Sequence, residues 1–212
     1  MSTDAEAPKA DCYSAGERGA MVYWQDLRGW LLAPLLAALT ACGVTADHIT
    51  AASLACGLAF CPLWLWAPGP ALARPAALLA LLLHVLLDGL DGPLARHQHT
   101  ASRRGSFTDT LADQIVVTAT TLALMATAPA QLSIWAGGSY IFLYAMVVAF
   151  AMVRTALGVS YSWLIRPRFW IYGWIALDQY LLPGWLELIV VFFAAILAIK
   201  LATGFIAIRR LL

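Results

Sequence analysis

The sequence predicts an all-α integral membrane protein, in which six transmembrane helices follow an N-terminal amphipathic helix that lies in the membrane interface. Of the 212 residues, 62% are hydrophobic and 12% are charged, whereas soluble domains carry about 25% charged residues. A soluble domain of this length could not bury so much apolar surface. We therefore exclude a soluble globule, a disordered chain and a disulfide scaffold. The formal net charge of +1 also argues against a nucleic-acid partner.

The N-terminal region divides into a tail and a helix. Residues 1–20 are polar and mixed in charge, which predicts a frayed tail. Residues 21–212 form one predicted membrane domain. Its first element is an interfacial helix over about 21–42, because aromatic and leucine residues recur there near helical spacing while Gln25 and Asp26 stay polar.

Six apolar blocks follow and predict six spans between about 49 and 210, because about 20 residues cross a bilayer as a helix. Proline and glycine residues separate the blocks. The fifth block is the weakest, since it includes Arg166, Arg168 and Asp178. The blocks are about 49–67, 75–95, 107–128, 134–158, 163–182 and 187–208.

The basic residues predict the orientation. With six spans and both termini on one side, that side collects ten of the 13 basic residues, and the opposite loops hold only Arg74. The positive-inside rule makes the crowded side cytoplasmic, in a membrane of the bacterial inner or plasma type. The ten residues are Lys9, Arg18, Arg28, Arg96, Arg103, Arg104, Arg166, Arg168, Arg209 and Arg210.

Four aspartates are the most informative feature of the sequence. Asp88 and Asp91 are three residues apart, and Asp109 and Asp113 are four apart, so each pair lies on one face of its helix. The short polar loop between the two helices brings the pairs together at the cytoplasmic end. Four unpaired carboxylates would repel each other strongly beside a bilayer, and Mg²⁺ or Mn²⁺ would relieve this repulsion and could hold a diphosphate.

Two glycines accompany the aspartates. Gly92 and Gly105 lack side chains, so that helices or a substrate can approach the backbone closely. In the alternative interpretation, the carboxylates only pair with Arg96, Arg103 and Arg104 at the interface. That pairing would not require two glycines and an alanine at fixed positions relative to the aspartates.

The whole motif resembles the signature of the CDP-alcohol phosphotransferase (CDP-alcohol phosphatidyltransferase) family. The family pattern is D-x-x-D-G-x-x-A-R-x8-G-x-x-x-D-x-x-x-D, and residues 88–113 fill every fixed position. A chance match of eight fixed residues is on the order of one in 10⁸. The interfacial helix and the six predicted spans also resemble the family.

The resemblance implies a membrane transferase of phospholipid biosynthesis. Such an enzyme moves the phosphoryl-alcohol part of a CDP-alcohol, usually CDP-diacylglycerol, to a hydroxyl acceptor and releases CMP. It also implies a homodimer and two Mg²⁺ or Mn²⁺ ions. The acceptor stays open, with a preference for a phosphorylated polyol such as glycerol 3-phosphate or an inositol phosphate. By the family pattern, the metal ligands are Asp88, Asp91, Asp109 and Asp113. Asp113 is also the general base. The residues of the CDP site are Asp88, Asp91, Gly92, Ala95, Arg96, Gly105, Asp109 and Thr50.

The sequence departs from the family at one place. Family members often carry Pro-Asn ahead of a threonine before the first span, and here Ala46 and Asp47 replace that pair while Thr50 matches. We expect Asp47 to cap the helix in place of the asparagine.

Three arginines outside the motif are candidate acceptor ligands. Arg154 lies in an apolar block, where an arginine is a functional candidate unless it extends to the nearby interface. Arg166 and Arg168 either bind an anionic acceptor or are ordinary positive-inside loop charges.

Three other functions remain open from the sequence. An aspartate-rich membrane prenyltransferase uses the same metal chemistry on a lipid diphosphate, but it does not require the glycine, alanine and arginine positions of the motif. A non-enzymatic ion-coupled transporter could bind ions at the carboxylates. An inactive relative would keep the fold without turnover.

Overall fold

A computed structural model describes residues 15–66, 70–127, 131–157 and 166–210. Within these ranges the chain folds into seven α-helices and has no β-strand, as the sequence predicts. Of the predicted tail, residues 1–14 lie outside the described part and residues 15–20 belong to the first helix. The helices are α1 (Ala15–Ala41), α2 (Ala46–Leu65), α3 (Pro70–His97), α4 (Arg103–Ala126), α5 (Ile134–Ala156), α6 (Pro167–Tyr180) and α7 (Leu186–Arg209).

Four of the described helices, α2, α3, α5 and α7, are long and apolar enough to cross a membrane, and the chain is an integral membrane protein. The first half of α4 carries Arg103, Arg104, Asp109 and Asp113. Helix α6 has 14 residues and rises about 21 Å, which is less than the roughly 30 Å of a bilayer core. The span predicted over 163–182 is thus helical over Pro167–Tyr180, and residues 163–165 lie outside the described ranges. Six spans and an interfacial position for α1 stay predictions.

The turn between α1 and α2 is built by local hydrogen bonds. Gly43 adopts a φ of 72°, and the Val44 amide donates to the Leu39 carbonyl at 3.0 Å, which is the C-terminal motif that favours glycine. Helix α2 is capped by Thr45, whose hydroxyl accepts from the His48 amide at 3.3 Å. The expectation that Asp47 caps this helix is wrong, because Thr45 precedes it and forms a reciprocal capping box with His48.

The turn between α3 and α4 joins the two halves of the motif. Five residues, 98–102, connect the helices. His99 adopts a φ of 56°, and the Thr100 amide closes the end of α3 on the Ala95 carbonyl at 2.9 Å. The Gln98 side chain donates to the Val44 carbonyl at 2.7 Å, so this turn is also tied to the one between α1 and α2. The short polar loop predicted from the sequence is confirmed.

Helices α2 to α7 pack against one another. Helix α2 contacts α3 and α4, helix α5 contacts α4 and α7, and α6 contacts α3 and α7. A shared apolar core joins these helices and includes Phe60, Leu81, Val116, Ile175 and Leu197. The C-terminal part of α3 therefore receives side chains from both α4 and α6, because Asp109 bonds to Asp91 and Arg168 pairs with Asp88.

Helices α2 and α3 approach closely one turn below the first aspartate of the motif. Ser53 Oγ lies 2.8 Å from His84 Nδ1, and the Ser53 hydroxyl also donates to the His84 carbonyl at 3.0 Å. A side chain on Gly57 would meet Val116 and His84, because an added Cβ would lie 2.6 Å from Val116 Cγ1. The missing side chain at Gly57 thus lets α2 sit directly on α3 and α4.

Candidate active site

Three aspartates of the motif form a carboxylate cluster. Asp88 of α3 and Asp109 and Asp113 of α4 each offer an oxygen atom, and these atoms all lie within 4.8 Å of one another. Their spacing along two adjacent helices produces this arrangement, because residues three or four positions apart share a helix face. The predicted convergence of the two pairs is confirmed for these three residues.

The fourth aspartate, Asp91, lies beside the cluster. It is 7% exposed and forms a side-chain hydrogen bond with Asp109. Its carboxylate accepts from the Thr50 hydroxyl at 2.8 Å and from the Gly92 amide at 2.6 Å. Thr50, which the resemblance assigns to the nucleotide site, therefore links α2 to the motif through Asp91.

Arg168 reaches this cluster from the first turn of α6. Its Nη2 lies 2.7 Å from Asp88 Oδ2, and its Nη1 forms an ion pair with Asp113. The residue is 3% exposed. Arg168 is thus a buried counterion of two aspartates, and the interpretation that it is an ordinary loop charge is wrong. The ion pairs were missed because 80 residues separate Arg168 from Asp88; the available signal was an arginine after Pro167 in a largely apolar block.

The small residues of the motif have different surroundings. A Cβ on Gly92 would lie 3.5 Å from the Arg96 guanidinium. The Gly105 amide donates to Ser102, which caps α4, at 3.1 Å. Ala95 is half-buried and Arg96 is exposed. These residues flank the carboxylate cluster on α3 and α4, and their roles in CDP binding stay predictions.

The other two candidate arginines lie elsewhere. Arg166 is exposed at the start of α6, with its guanidinium 5.9 Å from the Phe169 ring centroid. Arg154 lies against α7, since its Nη1 would be 3.8 Å from a Cβ on Gly204. Among the three candidate acceptor ligands, Arg168 forms ion pairs with Asp88 and Asp113. The acceptor-binding roles stay predictions.

A sequence model described as CDP-alcohol phosphatidyltransferase matches residues 43–209, which is most of the chain and includes both halves of the aspartate motif. The chain belongs to the CDP-alcohol phosphatidyltransferase family. A comparison with curated proteins gives no significant match. The family consists of transferases of CDP-alcohol phosphatidyl groups in phospholipid synthesis, so the carboxylate cluster lies in the part of the chain that the family shares.

The carboxylate cluster fits a divalent cation. Carboxylate oxygens are hard ligands of the kind that Mg²⁺ and Mn²⁺ prefer. Opposite oxygens around Mg²⁺ are about 4.2 Å apart, from bond lengths of about 2.1 Å, and the three aspartate oxygens lie within 4.8 Å of one another. Small side-chain rotations of Asp88, Asp109 and Asp113 would bring their oxygens to the ligand spacing of Mg²⁺.

The Thr50→Val variant tests the link between α2 and the motif. We expect this variant to lower the rate of CMP release by about tenfold. Removing a hydrogen bond from a buried carboxylate has a free-energy cost of about 1–3 kcal/mol. Thr108→Val is the matched control, since its exposed hydroxyl donates to the Arg104 carbonyl of its own helix. Equal rates for the two variants would contradict a role for Thr50.

Proposed function

We propose that the chain is a divalent-metal-dependent transferase that moves the phosphatidyl group of CDP-diacylglycerol to a hydroxyl acceptor and releases CMP. The observation that carries the proposal is the cluster of Asp88, Asp109 and Asp113 oxygens within 4.8 Å, inside the region that the family shares. Two ions of Mg²⁺ or Mn²⁺ are proposed, with Asp91 as the fourth ligand beside the cluster.

The reaction requires positioning and charge neutralisation more than covalent chemistry by the protein. When bound, divalent ions would neutralise and orient the diphosphate. The acceptor oxygen attacks the phosphorus that carries the lipid alcohol, a new P–O bond forms, and the P–O bond to CMP breaks. In this proposal Asp113 takes the proton of the acceptor hydroxyl on a carboxylate oxygen, because it lies at the edge of the cluster and its side chain is 15% exposed.

The nucleotide site is proposed along the cytoplasmic ends of α2, α3 and α4. Thr50 supports this placement because its hydroxyl donates to Asp91 at 2.8 Å. Gly92 and Gly105 leave the backbone accessible next to the cluster, and the exposed Arg96 offers a positive charge to a phosphate.

The acceptor is proposed to be a phosphorylated polyol, such as glycerol 3-phosphate or an inositol phosphate. Arg168 supports this choice because its guanidinium lies at the cluster, where an acceptor must approach Asp113. Arg166 is exposed two residues earlier on the same helix end, and Arg154 is the third candidate. Arginine pairs with phosphate in a bidentate geometry.

The orientation and assembly are also proposals. The excess of basic residues on one side of the predicted bundle supports a cytoplasmic active site, cytoplasmic termini and a membrane of the bacterial inner type. The family resemblance supports a homodimer. Cross-linking in native membranes tests the dimer, and protease accessibility of α1 tests the orientation.

Purified protein in lipid nanodiscs provides the decisive assay. We expect CMP release from CDP-diacylglycerol only when Mg²⁺ or Mn²⁺ and the right acceptor are both present, and loss of activity on chelation that Mn²⁺ restores. The acceptor panel contains glycerol 3-phosphate, an inositol phosphate, serine and inositol. If none of these acceptors supports CMP release, the proposal is contradicted. If the protein turns over a prenyl diphosphate instead, the prenyltransferase alternative replaces the proposal.

A further inference from the structure

The two ion pairs of Arg168 join three helices at the carboxylate cluster. Arg168 belongs to α6, Asp88 to α3 and Asp113 to α4. The side chains of Arg168 and Asp88 are 4% and 7% exposed, and that of Asp113 is 15% exposed. Ion pairs so far from solvent are screened little by water or salt, so these charges interact strongly.

The guanidinium uses the same aspartates that fit a divalent ion. Asp88 and Asp113 are two of the three members of the cluster whose oxygens lie within 4.8 Å of one another, and both pair with Arg168. Each of these carboxylates has a second oxygen, but a dication bound there would lie close to the guanidinium, and the two cations would repel each other. Each cation therefore weakens the binding of the other.

We propose that Arg168 is a counterion of the carboxylate cluster and that divalent ions bind in competition with its guanidinium. This inference rests on the proposed function in one respect: both take the cluster of Asp88, Asp109 and Asp113 as the metal site. A divalent ion must compete with the guanidinium for Asp88 and Asp113, so metal binding is weakened by these two ion pairs. Once a divalent ion takes the carboxylates, the guanidinium becomes available to an anionic acceptor, so the acceptor binds after the metal.

Binding of Mn²⁺ without nucleotide tests the competition. The Arg168→Gln variant removes the charge and keeps hydrogen-bonding capacity, and we expect it to bind Mn²⁺ at least about tenfold more tightly than the wild type, since close charge pairs couple by more than about 1.4 kcal/mol. The readout is the electron paramagnetic resonance signal of free Mn²⁺ in a titration of the nanodisc-embedded protein. Arg166→Gln is the matched control, because Arg166 is exposed two residues away, and its Mn²⁺ affinity should stay within twofold of wild type.

A second variant keeps the test decisive if Arg168→Gln does not fold. In Arg168→Lys the single ammonium group replaces the planar guanidinium, which can face two carboxylates at once. We expect an intermediate gain in Mn²⁺ affinity, and a larger rise in unfolding temperature on adding Mn²⁺ than the wild type shows. Wild-type or weaker Mn²⁺ affinity in the folded variants at position 168 would overturn the inference.

The outcome is separable from that of the proposed function. Tighter Mn²⁺ binding by the position-168 variants without any CMP release from the wild type would support the competition and remove the transferase proposal. CMP release by the wild type, with Mn²⁺ affinity unchanged by the substitutions, would support the transferase proposal and overturn the competition between Arg168 and the metal.

Discussion

Replacing Asp113 by asparagine is expected to lower the rate of CMP release at least about 10³-fold, within the range that a positioned general base contributes. The carboxamide cannot take the acceptor proton, and it is a poorer ligand for a hard cation. It also removes one of the two ion pairs of Arg168. The measurement is single-turnover CMP release from CDP-diacylglycerol in nanodiscs, together with binding of the CDP-lipid to show that the site is still formed.

Asp47→Asn is the matched control for this substitution. Asp47 is exposed in the first turn of α2, and Thr45 rather than Asp47 caps that helix. We expect its turnover to stay within about twofold of wild type, because exposed surface substitutions have small effects. If Asp113→Asn folds, binds CDP-lipid and turns over at a near-normal rate, then another group takes the proton.

Gly57→Ala is expected to destabilise the bundle by about 1–3 kcal/mol, as overpacking of a well-packed contact does. The added Cβ would lie 2.6 Å from Val116 Cγ1 and 3.2 Å from the His84 ring. Val116 is β-branched and stiff in a helix, so it cannot turn aside easily. We expect a lower unfolding temperature and a reduced rate of CMP release, because displacement of α2 moves Thr50 away from Asp91.

Gly138→Ala separates this contact from the general effect of alanine in a helix. A Cβ on Gly138 meets nothing within 4 Å, so this variant should keep or slightly raise the unfolding temperature, since alanine favours helix over glycine. Gly57→Ala and Gly138→Ala are compared in the same detergent by thermal unfolding. Equal unfolding temperatures would contradict the close packing of α2 on α3 and α4.

The part of the site that depends on local spacing could be predicted from the sequence. Asp88, Asp109 and Asp113 meet because Asp109 and Asp113 are four residues apart on one helix face and a short turn brings the ends of α3 and α4 together. The family motif covers the same residues, so two independent arguments led to the cluster. The all-α class followed in the same way from apolar blocks of spanning length.

The parts that depend on distant contacts could not be predicted. The pairing of Arg168 with Asp88 depends on how α6 packs against α3, and no periodic pattern reports a contact between helices so far apart in the chain. The cap of α2 shows a smaller difference: Asp47 and Thr45 both belong to residue types that cap helices, and the backbone geometry of the preceding turn selected Thr45. Helix α6 begins at Pro167 after the N-cap residue Arg166, which is a position that favours proline.

The five-residue turn between α3 and α4 has a consequence for biosynthesis. The N-terminal part of a chain is made first, so the hairpin that carries all four aspartates of the motif is made before α6. At that stage Arg168 does not yet exist to pair with Asp88 and Asp113. We expect the nascent hairpin to hold its carboxylates near the aqueous surface until α6 arrives, which makes docking of α6 the step that completes insertion of this end of the bundle.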